Sequence, residues 1–366
     1  MSSRVRGALV ELVPLIALLV VVALVGSSMS DATQQDFITA LIAVTIVVAL
    51  HVFVGNSGVI SFGHISFVAV GAFAAGVLTI PAVTKPLVMP ELWSFLADTE
   101  IGNLASLALA AALGAIYALV FGFPLMRLSG LAAGIATFAV LEITHNVLRF
   151  WEKIGPGAKT LTLVPVTTEI SDATVGAIVA VLVAFAYQRT RRGRVLRASR
   201  EDPAAAQAIG VRIHRERLLA FVLSGALAGL AGGLLVHQLG SITTEQVYLQ
   251  LTFLTLAMLV IGGVGSLWGA VVGALLISFL NTLLGDAENG LGLGPVTVTI
   301  PDGSSLVILG VLMTLVLLLR PGGLSGGREL SLRRRRRRPT QPVRPSAGPP
   351  DAVDAAPSAR DVDVAS

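Results

Sequence analysis

A hydrocarbon layer about 30 Å thick needs roughly 20 apolar residues per crossing helix, and this chain supplies runs of that kind again and again. They lie near residues 8–25, 36–54, 58–80, 102–124, 129–148, 172–188, 217–236, 251–264, 267–284 and 304–319. Inside lipid every backbone group must be satisfied within the structure, so the pattern predicts an all-α fold, a polytopic transmembrane helical bundle of about ten spans. Charged residues are 13% of the 366 positions, about half the roughly 25% of a soluble chain, which rules out a water-soluble domain. Two runs are irregular. The stretch 251–264 is short, and 58–80 carries Gly58, Gly63, His64, Gly71 and Gly76, the mark of a broken or re-entrant segment. The first run, preceded by Arg4 and Arg6 and ending in Gly26, Ser27 and Ser28, also fits a signal peptide. No A-x-A cleavage site follows it, so it reads as a retained span.

Lys and Arg are held on the cytoplasmic side of a membrane. With an inside N-terminus and ten spans, all but Lys85, Arg149, Lys153 and Lys159 of the 26 basic residues fall in inside segments. Both termini are then cytoplasmic. Past Arg320 the composition turns to Pro, Gly, Ser, Asp and Arg, so the chain divides into a membrane domain, 1–320, and a disordered basic tail, 321–366. The run Arg333 to Arg338 suits anionic membrane lipid, at about 1 kcal/mol per arginine near the surface. No aromatic residue interleaves these arginines, which argues against a nucleic-acid partner.

Catalytic chemistry finds no footing. The absence of cysteine removes thiolate ligands and nucleophiles together, and the five histidines are scattered, without a pair at metal-ligand spacing. Glu142 and His145 form a single E-x-x-H, whereas a di-iron bundle needs two copies and two more glutamates. Gly157-Ala158-Lys159-Thr160 has Ala158 where a phosphate-binding loop needs glycine before lysine. Neither a catalytic residue, nor a metal, nor a cofactor is expected, and the chain does not hydrolyse ATP itself.

The inside loop 189–217 carries nine arginines, a number that topology alone explains. Its interior is more specific. Asp202 can cap a helix, Pro203 fits a first turn, Ala204, Ala205, Ala206, Gln207 and Ala208 favour helix, and Gly210 stops it. The expected product is a short helix outside the bilayer that a separate cytoplasmic protein could grip.

Four stretches carry a family resemblance: GNSGVISFGHISFVAVGAFAAG at 55–76, MRLSGLAAGIATFAVLEI at 126–143, GRVLRASREDPAAAQAIGVRIHRERLLAFVLSGALAGLAGGL at 193–234 and IGGVGSLWGAVVGALLI at 261–277. Together they make the chain resemble, over about 8–320, the LivM-like permease subunits of bacterial ABC importers for branched-chain amino acids. The resemblance implies an inner-membrane importer subunit whose partners are ABC ATPase subunits, a second homologous permease and an extracytoplasmic solute-binding protein. It also implies that Glu201, Ala204, Ala205 and Gly210, with Asp202, match the signature loop that docks into the ATPase. Pro203 separates Glu201 from the alanines, a departure from that signature. Relatives of the family carry urea, short amides and other amino acids, so the mechanism is implied more strongly than the solute.

Two glycine series, Gly225, Gly229, Gly233 and Gly265, Gly269, Gly273, repeat at intervals of four, each along one helix face. Such seams serve close packing in most membrane bundles, and shear between moving helices is the other reading. Asn56, Ser61 and His64 place hydrogen-bonding groups in the interrupted run 58–80 or at its edge; they line or brace a translocation path, or satisfy one another across a helix contact. Glu142, about 9 Å below the outer end of its span, should face the interior or a partner. His145 and Arg149 share its face, so local pairing competes with a role in the path. Glu11 and His51, near span ends, read as interfacial. A stand-alone secondary transporter would need more ionisable groups at mid-membrane, and a membrane-embedded enzyme would need them clustered at one interface.

Overall fold

The computed structural model describes residues 3–293, 296–298, 301, 303–320 and 322–326. All lie in one compact unit, Met1–Leu332; the arginine run 333–338 and the rest of the expected tail lie outside the described residues. The helices are α1 (Ser3–Ser27), α2 (Asp31–Ser57), α3 (His64–Thr79), α4 (Lys85–Val88), α5 (Ser94–Ala97), α6 (Asn103–Leu125), α7 (Gly130–Phe150), α8 (Ile170–Arg189), α9 (Arg191–Glu201), α10 (Pro203–Ala208), α11 (Ile213–Leu239), α12 (Leu249–Gly262), α13 (Leu267–Glu288) and α14 (Ser304–Leu319). A small antiparallel hairpin, β1 (Leu291–Leu293) and β2 (Val296–Val298), separates the last two. Among the described residues six helices, α2, α6, α7, α8, α11 and α13, are long and apolar enough to cross a membrane, and four shorter apolar helices lie within α1, α3, α12 and α14.

The ends of these helices are written in their flanking residues. Gly58 and Gly240 close α2 and α11 in the left-handed conformation, each returning its N–H to a carbonyl four residues back. Glu169 and Asp172 form a reciprocal capping box at the start of α8. The side chain of Ser266 accepts from the Gly269 N–H at 3.1 Å to begin α13.

The core is built around α2 and α11, which pack on each other and on α3, α6 and α8. A helix apolar all round belongs in the interior, and from Val44 to Ser57 every residue of α2 is buried. α6 shows the opposite arrangement: its buried residues form a stripe of mostly small side chains, Ser106, Ala110, Gly114, Ala118 and Gly122, at intervals of four. Leu104, Ile116, Val120 and Phe123 point outward. Small residues inside and large apolar residues outside is the arrangement lipid favours.

Gly225, Gly229 and Gly233 of α11 meet this stripe. A Cβ on Gly229 would lie 3.2 Å from the Gly114 Cα, and one on Gly233 would lie 2.8 Å from a Leu107 methyl. The second series needs correction. Gly269 and Gly273 are on α13, but Gly265 precedes that helix and is exposed in the turn between α12 and α13. The seam is completed by Gly262 of α12, where an added Cβ would come 3.0 Å from the Gly273 Cα. Spacing by four continued past the helix boundary and so suggested a face that the backbone does not make.

Three further features depart from the sequence reading. The loop 189–217 contains α9 as well as α10. His51 is fully buried inside α2, which runs on to Ser57, and it meets the Gln188 amide at 2.7 Å instead of facing an interface. Residues 322–326, read as the start of the tail, form a turn on the end of α12, with Leu324 N–H donating to Ile261 O at 2.8 Å and Ser325 N–H to Gly262 O at 3.1 Å.

Candidate functional site

The run 58–80 is helical only from His64; residues 58–63 form an irregular link between α2 and α3. Ser61 and His64 close on each other there, with Ser61 Oγ 2.8 Å from His64 Nδ1. His64 Nε2 lies 2.6 Å from Ser224 Oγ of α11, and Ser224 donates onward to the Ala49 carbonyl of α2 at 2.6 Å. The hydroxyl of Ser224 has one proton, which goes to Ala49, so Nε2 must be the protonated nitrogen. In the uncharged ring Nδ1 then accepts from Ser61. The result is a directed chain that ties α3, α11 and α2 together. Around the imidazole stand Phe53, stacked at 5.6 Å, and Phe67 and Phe221, edge-on at 5.4 Å.

Asn56 sits just before the link. Its amide donates to Val52 O at 2.8 Å, and its buried Oδ1 has no partner among the described residues. The link is also held from outside: Phe62 N–H donates to Thr137 of α7 at 3.2 Å, and Arg200 of α9 reaches the Gly55 carbonyl at 3.3 Å. The polar side chains of Asn56, Ser61 and His64 are therefore covered by protein, while Gly58 and Ile60 of the link are exposed.

The link thus leads directly to the loop 189–217. Thr190 caps α9, accepting from Gly193 N–H at 3.1 Å, and Gly193, Leu196 and Ser199 turn inward. Arg197 donates to the Gln188 carbonyl at 2.6 Å. At the end of α9 the chain turns at Asp202, whose carboxylate accepts from Ala205 N–H at 2.9 Å, and α10 begins with Pro203 at its first position. Gly210, with φ at +84°, provides the left-handed turn after it. Glu201, Asp202, Ala204, Ala205 and Gly210 are all exposed, and Ile209 is 83% exposed. α9 is fastened to the bundle, whereas α10 is largely exposed and touches it at the start of α11.

Glu142 is not brought to the link. Its carboxylate accepts from the Tyr248 hydroxyl and, at 2.7 Å, from the Asn146 amide. The expected local set with His145 and Arg149 does not form: those two converge on Glu245, at 3.5 and 2.9 Å. The His145 ring stacks on Tyr248 at 3.9 Å. The bond to Glu142, then burial, pushes the Tyr248 phenol up to about 12, so it remains a donor at neutral pH. The cluster joins α7 to the segment before α12. Glu11 pairs with Arg189 at 2.5 Å.

Sequence reasoning missed Ser224, Gln188, Glu245, Tyr248 and α9. A lone serine or glutamine in an apolar helix gives no positional signal, whereas the Thr190 cap and the inward spacing of Gly193, Leu196 and Ser199 could have shown α9.

The family described as the permease component of branched-chain amino acid transport systems matches residues 35–317. The chain belongs to that family. It is 26% identical over 344 residues to the high-affinity branched-chain amino acid transport system permease protein LivM of Escherichia coli K12, covering 85% of this chain and 74% of that one. A probable branched-chain amino acid transport permease protein LivH of Methanocaldococcus jannaschii is 35% identical over 98 residues, 26% of this chain and 30% of the relative. The autoinducer 2 import system permease protein LsrC of Enterobacter sp. 638 is 30% identical over 192 residues, 49% of this chain and 55% of the relative. No solved structure matches. As a permease of this family the chain is a multi-pass membrane protein and is not itself a catalyst.

Proposed function

We propose that this permease is one half of the membrane pathway of an ABC importer, and that α10 is the handle by which an ATPase subunit drives it. The carrying observation is a capped helix of six residues, exposed along nearly its whole length and ending beside the bare apolar side chain of Ile209. An exposed apolar side chain on a rigid projection suits a partner's cleft. The remaining partners are a second permease of the same kind and an extracytoplasmic solute-binding protein. The six long and four shorter apolar helices make ten spans in the bacterial inner membrane, with both termini inside and 58–63 as a non-helical link at the inner end of α2. Asn56, Ser61 and His64 brace the moving helices at that link, and Glu142 holds the outer end of α7.

Branched-chain amino acids are the solute, supported by the LivM likeness along most of the chain. The shorter likeness to an autoinducer 2 permease supports the same machinery carrying another small polar solute, and urea or short amides belong to that second reading. Co-purification with the ATPase subunits tests the coupling. Ala204→Arg or Gly210→Trp should abolish ATPase capture while leaving the chain folded. Full uptake by the chain alone in liposomes would make it a secondary transporter and refute the proposal. Competition of leucine uptake by valine, urea and acetamide in the assembled complex decides the solute.

A further inference from the structure

At the α10 end of the bundle lies a cleft of about 700 Å³ whose lining includes Arg127 and Ser129 between α6 and α7, Gln207 of α10, and Arg212, His214 and Arg217 at the start of α11. Three guanidiniums and an imidazole face one hollow. Among the described residues none of the three arginines has a carboxylate within ion-pair distance. Arg217 spends one nitrogen on the Leu128 carbonyl at 3.2 Å, while its buried Nε has no partner. α7 also begins here without a side-chain cap and without an acidic residue in its first turn, so its positive end adds to the field.

What lies beside the hollow selects the ligand. Arg127 stacks on Phe123 at 5.2 Å, and Phe123, Leu131 and Ile135 form a strongly exposed apolar flank along α6 and α7. That flank has no protein to cover it among the described residues, and on a spanning helix such side chains meet acyl tails. A cationic hollow at a helix end that opens onto an acyl-facing flank has the two-part chemistry of an anionic phospholipid, with its phosphate among arginines and its tails against phenylalanine and leucine. A free phosphate or carboxylate would use the hollow and leave the flank unused. We propose that the cleft between 126–129, α10 and the start of α11 is a specific site for an anionic phospholipid headgroup. Its basic residues lie outside α10, so the assignment does not rest on how α10 meets an ATPase, nor on the arginine run 333–338.

Native mass spectrometry of the full-length chain, titrated with phosphatidylglycerol, phosphatidylcholine or inorganic phosphate, tests the assignment. Arg127 and Arg212 are exposed, so R127Q/R212Q should fold. It should bind phosphatidylglycerol about twenty-fivefold more weakly, two lost basic contacts at roughly fivefold each. R191Q/R192Q removes the same charge outside the cleft and should keep wild-type retention, with any background from Arg333 to Arg338 common to both variants. An equal loss in the two variants reduces the effect to general charge and overturns the site. Binding of inorganic phosphate as tight as that of phosphatidylglycerol overturns the lipid assignment, equal binding of phosphatidylcholine overturns the preference for an anionic headgroup, and unchanged binding in R127Q/R212Q overturns the site itself.

Discussion

Removing the Ser224 hydroxyl is the most informative single change in the core. Ser224→Ala deletes the acceptor of the His64 Nε2 proton and the donor to Ala49 O, both at 2.6 Å. The Ala49 carbonyl keeps its intrahelical partner, so the group left orphaned is the imidazole N–H, enclosed by Phe53, Phe67 and Phe221. An orphaned buried donor costs about 1–3 kcal/mol in water-soluble proteins. Membrane pairs average only about 0.6 kcal/mol and reach about 1.7, because the denatured chain in lipid finds other partners. Three phenyl rings leave no room for a substitute here, so the loss should lie near the upper membrane value, about 1.5 kcal/mol, or about tenfold in the folded ratio. His64→Phe fits the aromatic surroundings but leaves the Ser61 hydroxyl without its ring partner, for about 1 kcal/mol. In S224A/H64F the orphaned N–H no longer exists, and the double variant should recover about 1 kcal/mol relative to the sum. Unfolding by SDS in mixed micelles, followed by tryptophan fluorescence, measures all three. Additivity to within about 0.3 kcal/mol would show that the two side chains are not coupled and that the directed chain is wrong.

Other outcomes follow from particular contacts. Gly229→Leu drives a side chain into the Gly114 backbone and should cost at least about 3 kcal/mol in the same assay, with loss of folded yield. Gly262→Ala should cost more than about 1 kcal/mol by pushing α12 from α13, whereas Gly265→Ala should stay within about 0.5; equal effects would remove the corrected seam. Lys85, the first residue of α4, is fully buried and donates to the carbonyls of Leu96, at 2.8 Å, and Thr99. Burial pulls its ammonium below the ordinary 10.5, with Glu100 and Asp98 opposing. The unfolded chain then holds this proton to higher pH, so the residue's contribution to stability should rise with pH up to 10.5 and be flat below the folded value. Lys85→Met should remove that slope in pH-dependent unfolding. Glu245→Gln releases Arg149 from an exposed pair and should cost no more than about 1 kcal/mol; a larger drop in thermal midpoint would assign the cluster a greater structural share.

How much could be read beforehand differs from element to element. α10 was legible because each of its signals is local: a capping aspartate, a proline at the first position, four alanines and a terminal glycine. The break before His64 was legible for the same reason, since Gly58, Ser61 and Gly63 interrupt an apolar run. α9 was not, because its arginines satisfy the inside-positive rule in any conformation and obscure the spacing of Gly193, Leu196 and Ser199. Which partner a polar group takes was not legible either. Glu142 has His145 and Arg149 on its own helix, yet it bonds to Tyr248, 106 residues away, since pairing across helices depends on docking that no local pattern encodes. Gly265 was misplaced because periodicity does not reveal where a helix begins.

The most exposed helix and one of the most enclosed are neighbours in the chain. Only residues 209–212 separate α10 from α11, and α11 meets α3 and α6 backbone to backbone, with Gly232 against the Val68 carbonyl and Gly229 against Gly114. Under the proposed coupling, a displacement applied to the projection would reach α11 through those four residues. On its other side the same helix is pinned to α2 by the Ser224 bond to the Ala49 carbonyl and by the Phe221–Phe53 ring contact, so a push on α11 would be shared with α2.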